Sequence, residues 1–258
     1  MGAQTVVADV ADELARRVVA GVYESGDLMP SVRQVAEEFD MNRATAQLVL
    51  GRLESYGFAR AHRGKGFVTR DVRADGGVEV YRRLFQLSRG TPEIAADMFG
   101  DIVAEERTII LDALLGYTGS AARLDPADVK AAVDELEGIA RTPDPDLRAM
   151  LALELDLVRR LLTELGQGLR RSILNSIGEM VLDVPEAVTA YYAAGPDLHV
   201  LVWRALLAVW ESDSGPSDAQ LSLFEDLFEM YHAKVVARFD ELVGATVESA
   251  DERAARTA

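Results

Sequence analysis

The chain has 258 residues, 49% of them hydrophobic and 27% charged, and a formal net charge of −16 at pH 7. That length leaves room for two domains of ordinary soluble composition. With no cysteine, disulfides, thiolate metal sites and cysteine catalysis are excluded, which fits a reducing cytoplasm.

The opening MGAQTVVADVADELARR lacks a basic head followed by an apolar core, so it does not read as a signal peptide. No run approaches the roughly 18 apolar residues of a membrane span. Residues 5–22 read as a helix with Val7, Ala11, Leu14, Val18 and Val22 on one side, spaced to close a three-helix core. Gly21 and Gly26 punctuate its end, and Leu28-Met29 can pair as a short strand. Ser31 caps a second helix that buries Val32, Val35, Ala36 and Phe39, and Asp40-Met41 turn the chain. Asn42 caps a third helix from Arg43 to Tyr56, whose stripe is Ala46, Val49, Leu50 and Leu53. Gly57 ends it as a C′ glycine does.

That third helix leaves Ala44, Gln47 and Gly51 facing outward, with Arg43 at the edge near its positive dipole end. A small, polar face of this kind suits a DNA major groove. Phe58–His62 and Phe67–Arg70 flank Arg63-Gly64-Lys65-Gly66, a hairpin with a basic tip that can meet neighbouring phosphates. The pattern is a winged helix-turn-helix. A helical hairpin with a solvated face is the bland alternative, and charge decides against it. Residues 41–70 carry six Lys/Arg against a single acid, Glu54. Gly64-Lys65-Gly66 lacks the GxxxxGK[ST] spacing and sits between strands, so it is no phosphate loop.

The net charge has a location. Residues 1–70 hold nine basic and nine acidic side chains, and the remaining 188 hold 18 and 34, which accounts for the whole −16. An acidic second domain confines DNA contact to the basic face of the first. The expected organisation is a DNA-binding domain at 1–72, a linker at 73–77, an all-helical domain at 78–247 and a frayed polar tail at 248–258. The periodicity from Val78 onward predicts helices near 78–89, 91–117, 126–141, 145–167, 169–183, 196–212 and 217–246. Pro92, Pro126, Pro145, Pro196 and Pro216 stand at helix starts. The fold class expected is mostly α: a winged helix-turn-helix followed by a helical bundle.

The run of Gly21, Gly26-Asp27, Leu28-Met29-Pro30-Ser31, Arg33, Ala36, Met41-Asn42-Arg43, Thr45, Leu53, Gly57, Gly64, Gly66 and Phe67-Val68 resembles the GntR superfamily of bacterial transcription regulators. The match covers about the first quarter of the chain. It departs from the family pattern at Val32, where a glutamate is usual, at Gln47, where an arginine is usual, and at Leu48-Val49, where Glu-Ala is usual. The resemblance implies DNA contacts by Arg33, Asn42, Arg43, Ala44, Thr45, Gln47, Arg63, Gly64 and Lys65, and it implies a homodimer on a palindromic operator.

Members of this superfamily differ in the second domain. An aminotransferase-like domain needs several hundred residues and a Schiff-base lysine, and this region has only Lys130 and Lys234. An α/β domain needs strands. Leu153-Glu154, Val158-Arg159, Leu161, Gly166-Gln167 and Ile173-Leu174-Asn175, with Arg107-Thr108, are similar to the all-helical FadR subfamily. The branch that this chain resembles takes a long-chain fatty acyl-CoA in the helical domain and releases its operator. Effector-binding candidates are Arg107, Arg159, Tyr192, Trp203, Arg204, Tyr231 and His232. Each has a plain alternative as surface ion pair or core. Tyr231 and Lys234 stand where that branch has smaller residues, which would shorten the pocket.

No metal and no other cofactor is expected. Against the metal-binding relatives, Glu154 falls at the aspartate position, Val158 and Arg204 fall at two histidine positions, and only His232 falls at a ligand position, with His199 off the helical face. An enzyme is not expected, because three scattered histidines assemble no nucleophile, base and orienter. The expectation is a cytoplasmic transcriptional repressor released by a small-molecule effector. The alternative is a DNA-binding protein whose helical domain only dimerises or binds a different, non-lipid metabolite.

Overall fold

The computed structural model describes residues 3–120, 124–212 and 216–257, with residues 3–5 and 246–257 described by their backbone alone. The chain divides into two compact units, Met1–Ile94 and Ala95–Ala258. The first contains α1 (Ala3–Val19), α2 (Val32–Glu38), α3 (Arg43–Ser55), β1 (Ala59–His62), β2 (Gly66–Thr69), α4 (Val72–Asp75) and α5 (Val78–Ser88). Its core joins Ala11, Leu14 and Ala15 of α1 to Val35 of α2, Val49, Leu50 and Leu53 of α3, and Phe58.

Local chemistry fixes the helix ends. Ser31 and Gln34 form a reciprocal capping box at α2. Asp40 turns the chain at φ 47°, a left-handed conformation that a short polar side chain tolerates. Asn42 then accepts the Thr45 N–H at 2.9 Å and starts α3. β1 and β2 pair antiparallel from Ala59–Thr69 to His62–Gly66. Leu28 bridges Val68 as the third member, as the sequence suggests.

Three expectations give way here. α1 ends at Val19 and not at residue 22, because Gly21 turns the chain at φ 75°, and Val22 is 61% exposed. Val32 and Phe39 are only half-buried, and Arg17 lies 5.5 Å over the Phe39 ring. The stretch 73–77, expected to be a linker, is largely α4.

α5 packs along α1 within the first unit. A Cβ on Gly57 would lie 2.7 Å from Val80 Cγ2, so only glycine admits this approach. Arg83 stacks 3.5 Å from the Tyr56 ring centroid and bonds Asp12 at 2.8 Å. The first unit therefore extends to Ile94.

The second unit is built from α6 (Pro92–Thr118), α7 (Pro126–Ala140), α8 (Leu147–Glu164), α9 (Gly168–Leu182), α10 (Pro185–Tyr191), α11 (Pro196–Trp210) and α12 (Asp218–Thr257). Among the described residues it contains no strand, and no helix is long and apolar enough to cross a membrane. Its core includes Leu136, Met150, Leu155 and Leu157, with Phe99 stacked on Phe239 at 4.0 Å. Pro92, Pro126 and Pro196 open helices as expected, while Pro145 and Pro216 stand two residues ahead of theirs. Pro185 opens α10, a helix too short for its periodicity to be read. α12 runs on through the stretch expected to be a frayed tail, as far as Thr257, while Ala258 lies outside the described residues.

Candidate nucleic-acid interface and ligand cavity

α3 is anchored by its buried stripe and leaves Arg43, Ala44, Gln47 and Leu48 exposed. Asn42 and Thr45 bond each other at the helix start, so their side chains shape the N-terminus of α3. Leu48 is 63% exposed, and sequence reasoning passed over it. A leucine on a groove-facing helix is chemically suited to a thymine methyl. Arg33 is 69% exposed and lies 3.8 Å from Glu37.

The wing tip turns at His62–Lys65, where the Lys65 N–H donates to the His62 carbonyl at 3.0 Å. Gly64 occupies the third position of this turn with φ 81°, which glycine permits without strain. Arg63 and Lys65 are exposed on either side of it. Glu54, the only acid between residues 41 and 70, accepts the Ala61 N–H at 2.7 Å and ties α3 to β1. The one negative charge in the basic region is thereby engaged in positioning the wing.

The second unit holds a cavity of about 320 Å³ lined from α6, α8, α10, α11 and α12. Its walls are Ile110, Leu114, Leu151, Leu155, Val158 and Leu206, with the rings of Trp203, Phe224, Phe228 and Tyr231. Glu154 accepts from the Tyr192 hydroxyl at 2.6 Å, from Trp203 Nε1 at 3.0 Å and from His199 Nδ1 at 2.9 Å. The other His199 nitrogen faces the Tyr191 carbonyl at 3.0 Å. The Tyr231 hydroxyl also lies 3.3 Å from this second nitrogen. The Tyr231 hydroxyl donates to the same Tyr191 carbonyl at 2.7 Å. Burial, reinforced by the Glu154 charge, raises both the Tyr192 and Tyr231 phenols far above the usual range.

Glu106 is the odd member. It is fully buried in the cavity wall, and among the described residues neither carboxyl oxygen has a hydrogen-bond partner. Burial first, and the Glu154 charge second, push its carboxyl up to about 8, so at neutral pH it holds a proton. His232 is 4% exposed and its Nδ1–H donates to the Phe228 carbonyl at 2.7 Å. Burial brings its imidazole down to about 4, leaving a neutral ring with Nε2 as an acceptor.

Of the expected effector residues, Trp203, Tyr231 and His232 line the cavity, and Tyr192 stands behind Glu154. Arg107, Arg159 and Arg204 are absent from the lining, because acidic or amide partners on the helix surfaces hold them. Arg107 lies 3.6 Å from Glu229, Arg159 donates to Asn175 at 2.8 Å, and Arg204 pairs with Asp134 and Glu137. His199, expected off the face, is turned inward one helical turn before Trp203, and Arg204 points the other way. Tyr231 and Lys234 do line the cavity. Among the described residues no three His, Asp or Glu side chains are grouped to hold a metal ion. Sequence reasoning missed Glu106. The available signal was its place in the buried stripe Phe99, Ile102, Val103, Glu106, Ile109 and Ala113, where an acid stands at an apolar position.

No curated protein matches the chain. Among solved structures it is similar, at 13% identity and a TM-score of 0.48 over 94% of its length and 95% of the other's, to one described as "Lar controls the expression of the Listeria monocytogenes agr system and mediates virulence". It is also similar, at 16% identity and a TM-score of 0.33 over 90% of its length and 99% of the other's, to Streptococcus agalactiae GntR. Neither likeness is close enough to inform the site. Residues 7–68 match the model of the bacterial regulatory proteins of the gntR family. That span begins in α1 and ends in the wing, and it contains the capped, outward-facing α3. Residues 7–68 of the first unit are therefore a DNA-binding helix-turn-helix domain of the gntR family.

Proposed function

We propose that this chain is a cytoplasmic repressor that binds a palindromic operator as a homodimer and is released when a small apolar effector enters the cavity of its helical unit. The observation that carries the DNA-binding part is the exposed, N-capped α3 with a basic wing fastened to it by Glu54. Arg43 and Gln47 are assigned to base edges, Leu48 to a thymine methyl, and Arg33, Arg63 and Lys65 to phosphates. The effector part is supported by the cavity, whose volume and apolar walls suit a small molecule.

The resemblance to the FadR subfamily makes a fatty acyl-CoA one effector to consider, and the walls suit an acyl chain. The arginines that would meet its phosphates are engaged elsewhere, and among the described residues Lys234 is the one Lys or Arg in the lining. The geometry favours a smaller molecule whose polar end sits inside. A second reading, in which the helical unit only dimerises, draws on the exposed Leu201, Leu223, Leu227 and Met230 of α11 and α12.

The test is selection of bound duplexes from random DNA by the full chain, followed by affinity measurement with Arg43→Ala. An inverted repeat is expected, with a loss of about 1–3 kcal/mol in the variant at fixed salt. Binding unchanged by Arg43→Ala would remove α3 from the role assigned to it.

A further inference from the structure

We propose that the cavity of the second unit takes an apolar amine, its hydrocarbon part against the aliphatic and aromatic walls and its ammonium group held by Glu106. The inference rests on the reading of this cavity as the effector site and names the chemical class it selects.

The polar groups around the cavity are mostly committed to one another. Tyr192, Trp203 and His199 donate to Glu154, and Tyr231 donates to the Tyr191 carbonyl. The Glu154 oxygens are thus satisfied by three donors. What remains for a ligand, among the described residues, is the unpaired Glu106 carboxyl, whose two oxygens both accept once it gives up its proton, and His232 with its Nδ1–H already given to Phe228. The Tyr191 hydroxyl, also buried and unpaired, can serve as either donor or acceptor. A buried carboxyl with no partner is costly by itself and is relieved by a ligand that donates to it. The rings of Trp203, Phe228 and Tyr231 add faces on which a cation is favourable.

An anionic ligand finds the opposite. Of the basic groups around Glu106, Arg107 is drawn to Glu229, His199 is engaged by Glu154, and His232 is neutral. Lys234, though in the lining, is exposed. A carboxylate end would find the Glu106 carboxyl as a single donor, with the Glu154 charge close by.

Binding has a proton balance. The apo carboxyl is protonated at neutral pH, and an arriving ammonium stabilises the carboxylate. The Glu106 proton therefore passes to solvent as the ion pair forms, while the amine keeps its own.

The test uses octylamine, octanol and octanoate, each below its aggregation threshold, titrated calorimetrically into the full-length protein. Octylamine is expected to bind about tenfold or more tighter than octanol, with octanoate weakest. Glu106→Gln should bring octylamine to the level of octanol while octanol binding persists. In wild-type protein at neutral pH, octylamine should also release a proton, read as a heat that changes with buffer ionisation enthalpy. This readout stands even if the variant fails to fold. Octanoate binding as tightly as octylamine would overturn the amine assignment and leave the effector cavity intact, as would amine binding without proton release. Failure of all three probes to bind would overturn the effector reading along with it.

Discussion

On α3 the side chains offered for chemistry, Arg43, Ala44, Gln47 and Leu48, stand in solvent. In the second unit Glu106 and His232 are covered by apolar neighbours, and Glu154 is nearly so. The first arrangement makes recognition a matter of shape and position on a rigid helix. The second makes protonation itself part of the site, because burial decides which groups carry charge. Substitutions on α3 should therefore act on DNA affinity with little effect on folding. Substitutions in the cavity should act on stability first.

The largest effect should come from Glu154→Ala. It strands the donors of Tyr192, Trp203 and His199 in a buried setting. A loss of about 3–5 kcal/mol in urea unfolding is expected. A loss under about 1 kcal/mol would show that the network is a surface-like pairing and dissolve the contrast between the units.

Next in size is the pH dependence. Glu106 has a folded value near 8 against an ordinary 4.5, so in between the folded state holds a proton that the unfolded state has released. Stability contributed by this group is therefore complete below about 4.5 and declines as pH rises towards 8. Glu106→Gln should remove that decline and be more stable than wild type by about 2–4 kcal/mol at alkaline pH, with little difference at acid pH. His232 acts with the opposite sign. Its folded value near 4 lies below the ordinary 6.5, so stability is complete above 6.5 and falls as pH drops towards 4. Unfolding free energies across pH for wild type and Glu106→Gln check both limbs. Parallel curves would mean that Glu106 is not desolvated.

The smallest effect sharpens the other side of the comparison. Glu54→Ala removes the bond to the Ala61 N–H and should cost about 1 kcal/mol or less in global stability. Hydrogen exchange at Ala61 and its wing neighbours should accelerate while the α3 amides keep their protection.

The two units were unequally legible in the sequence for a physical reason. Ser31, Asn42, Gly57 and Gly64 act on their own few neighbours, so caps, turn and wing could be read locally and match the structure. Helix positions in the second unit were legible through the spacing of apolar residues, apart from the short α10. The cavity was not. It draws together residues from Glu106 to Lys234 on five helices, and only packing decides which way each points. Arg107, Arg159 and Arg204 lie outside the lining because a long cationic side chain reaches whichever acid or amide lies nearby, and spacing does not reveal that choice. Glu106 was overlooked although its position in an apolar stripe marked it.

The Glu54–Ala61 bond also bears on how long the protein stays on an operator. It joins α3 to β1, so the helix proposed to read the groove and the hairpin proposed to grip phosphates share one frame. Two contacts on a common frame tend to let go together, and departure must then overcome both holds in a single event. If the wing were hinged, the holds could open one after the other, each over a lower barrier, and the complex would turn over faster at nearly the same equilibrium affinity. A single hydrogen bond between helix and hairpin would in this way set residence time and leave sequence preference to the side chains proposed to meet base edges, Arg43 and Gln47.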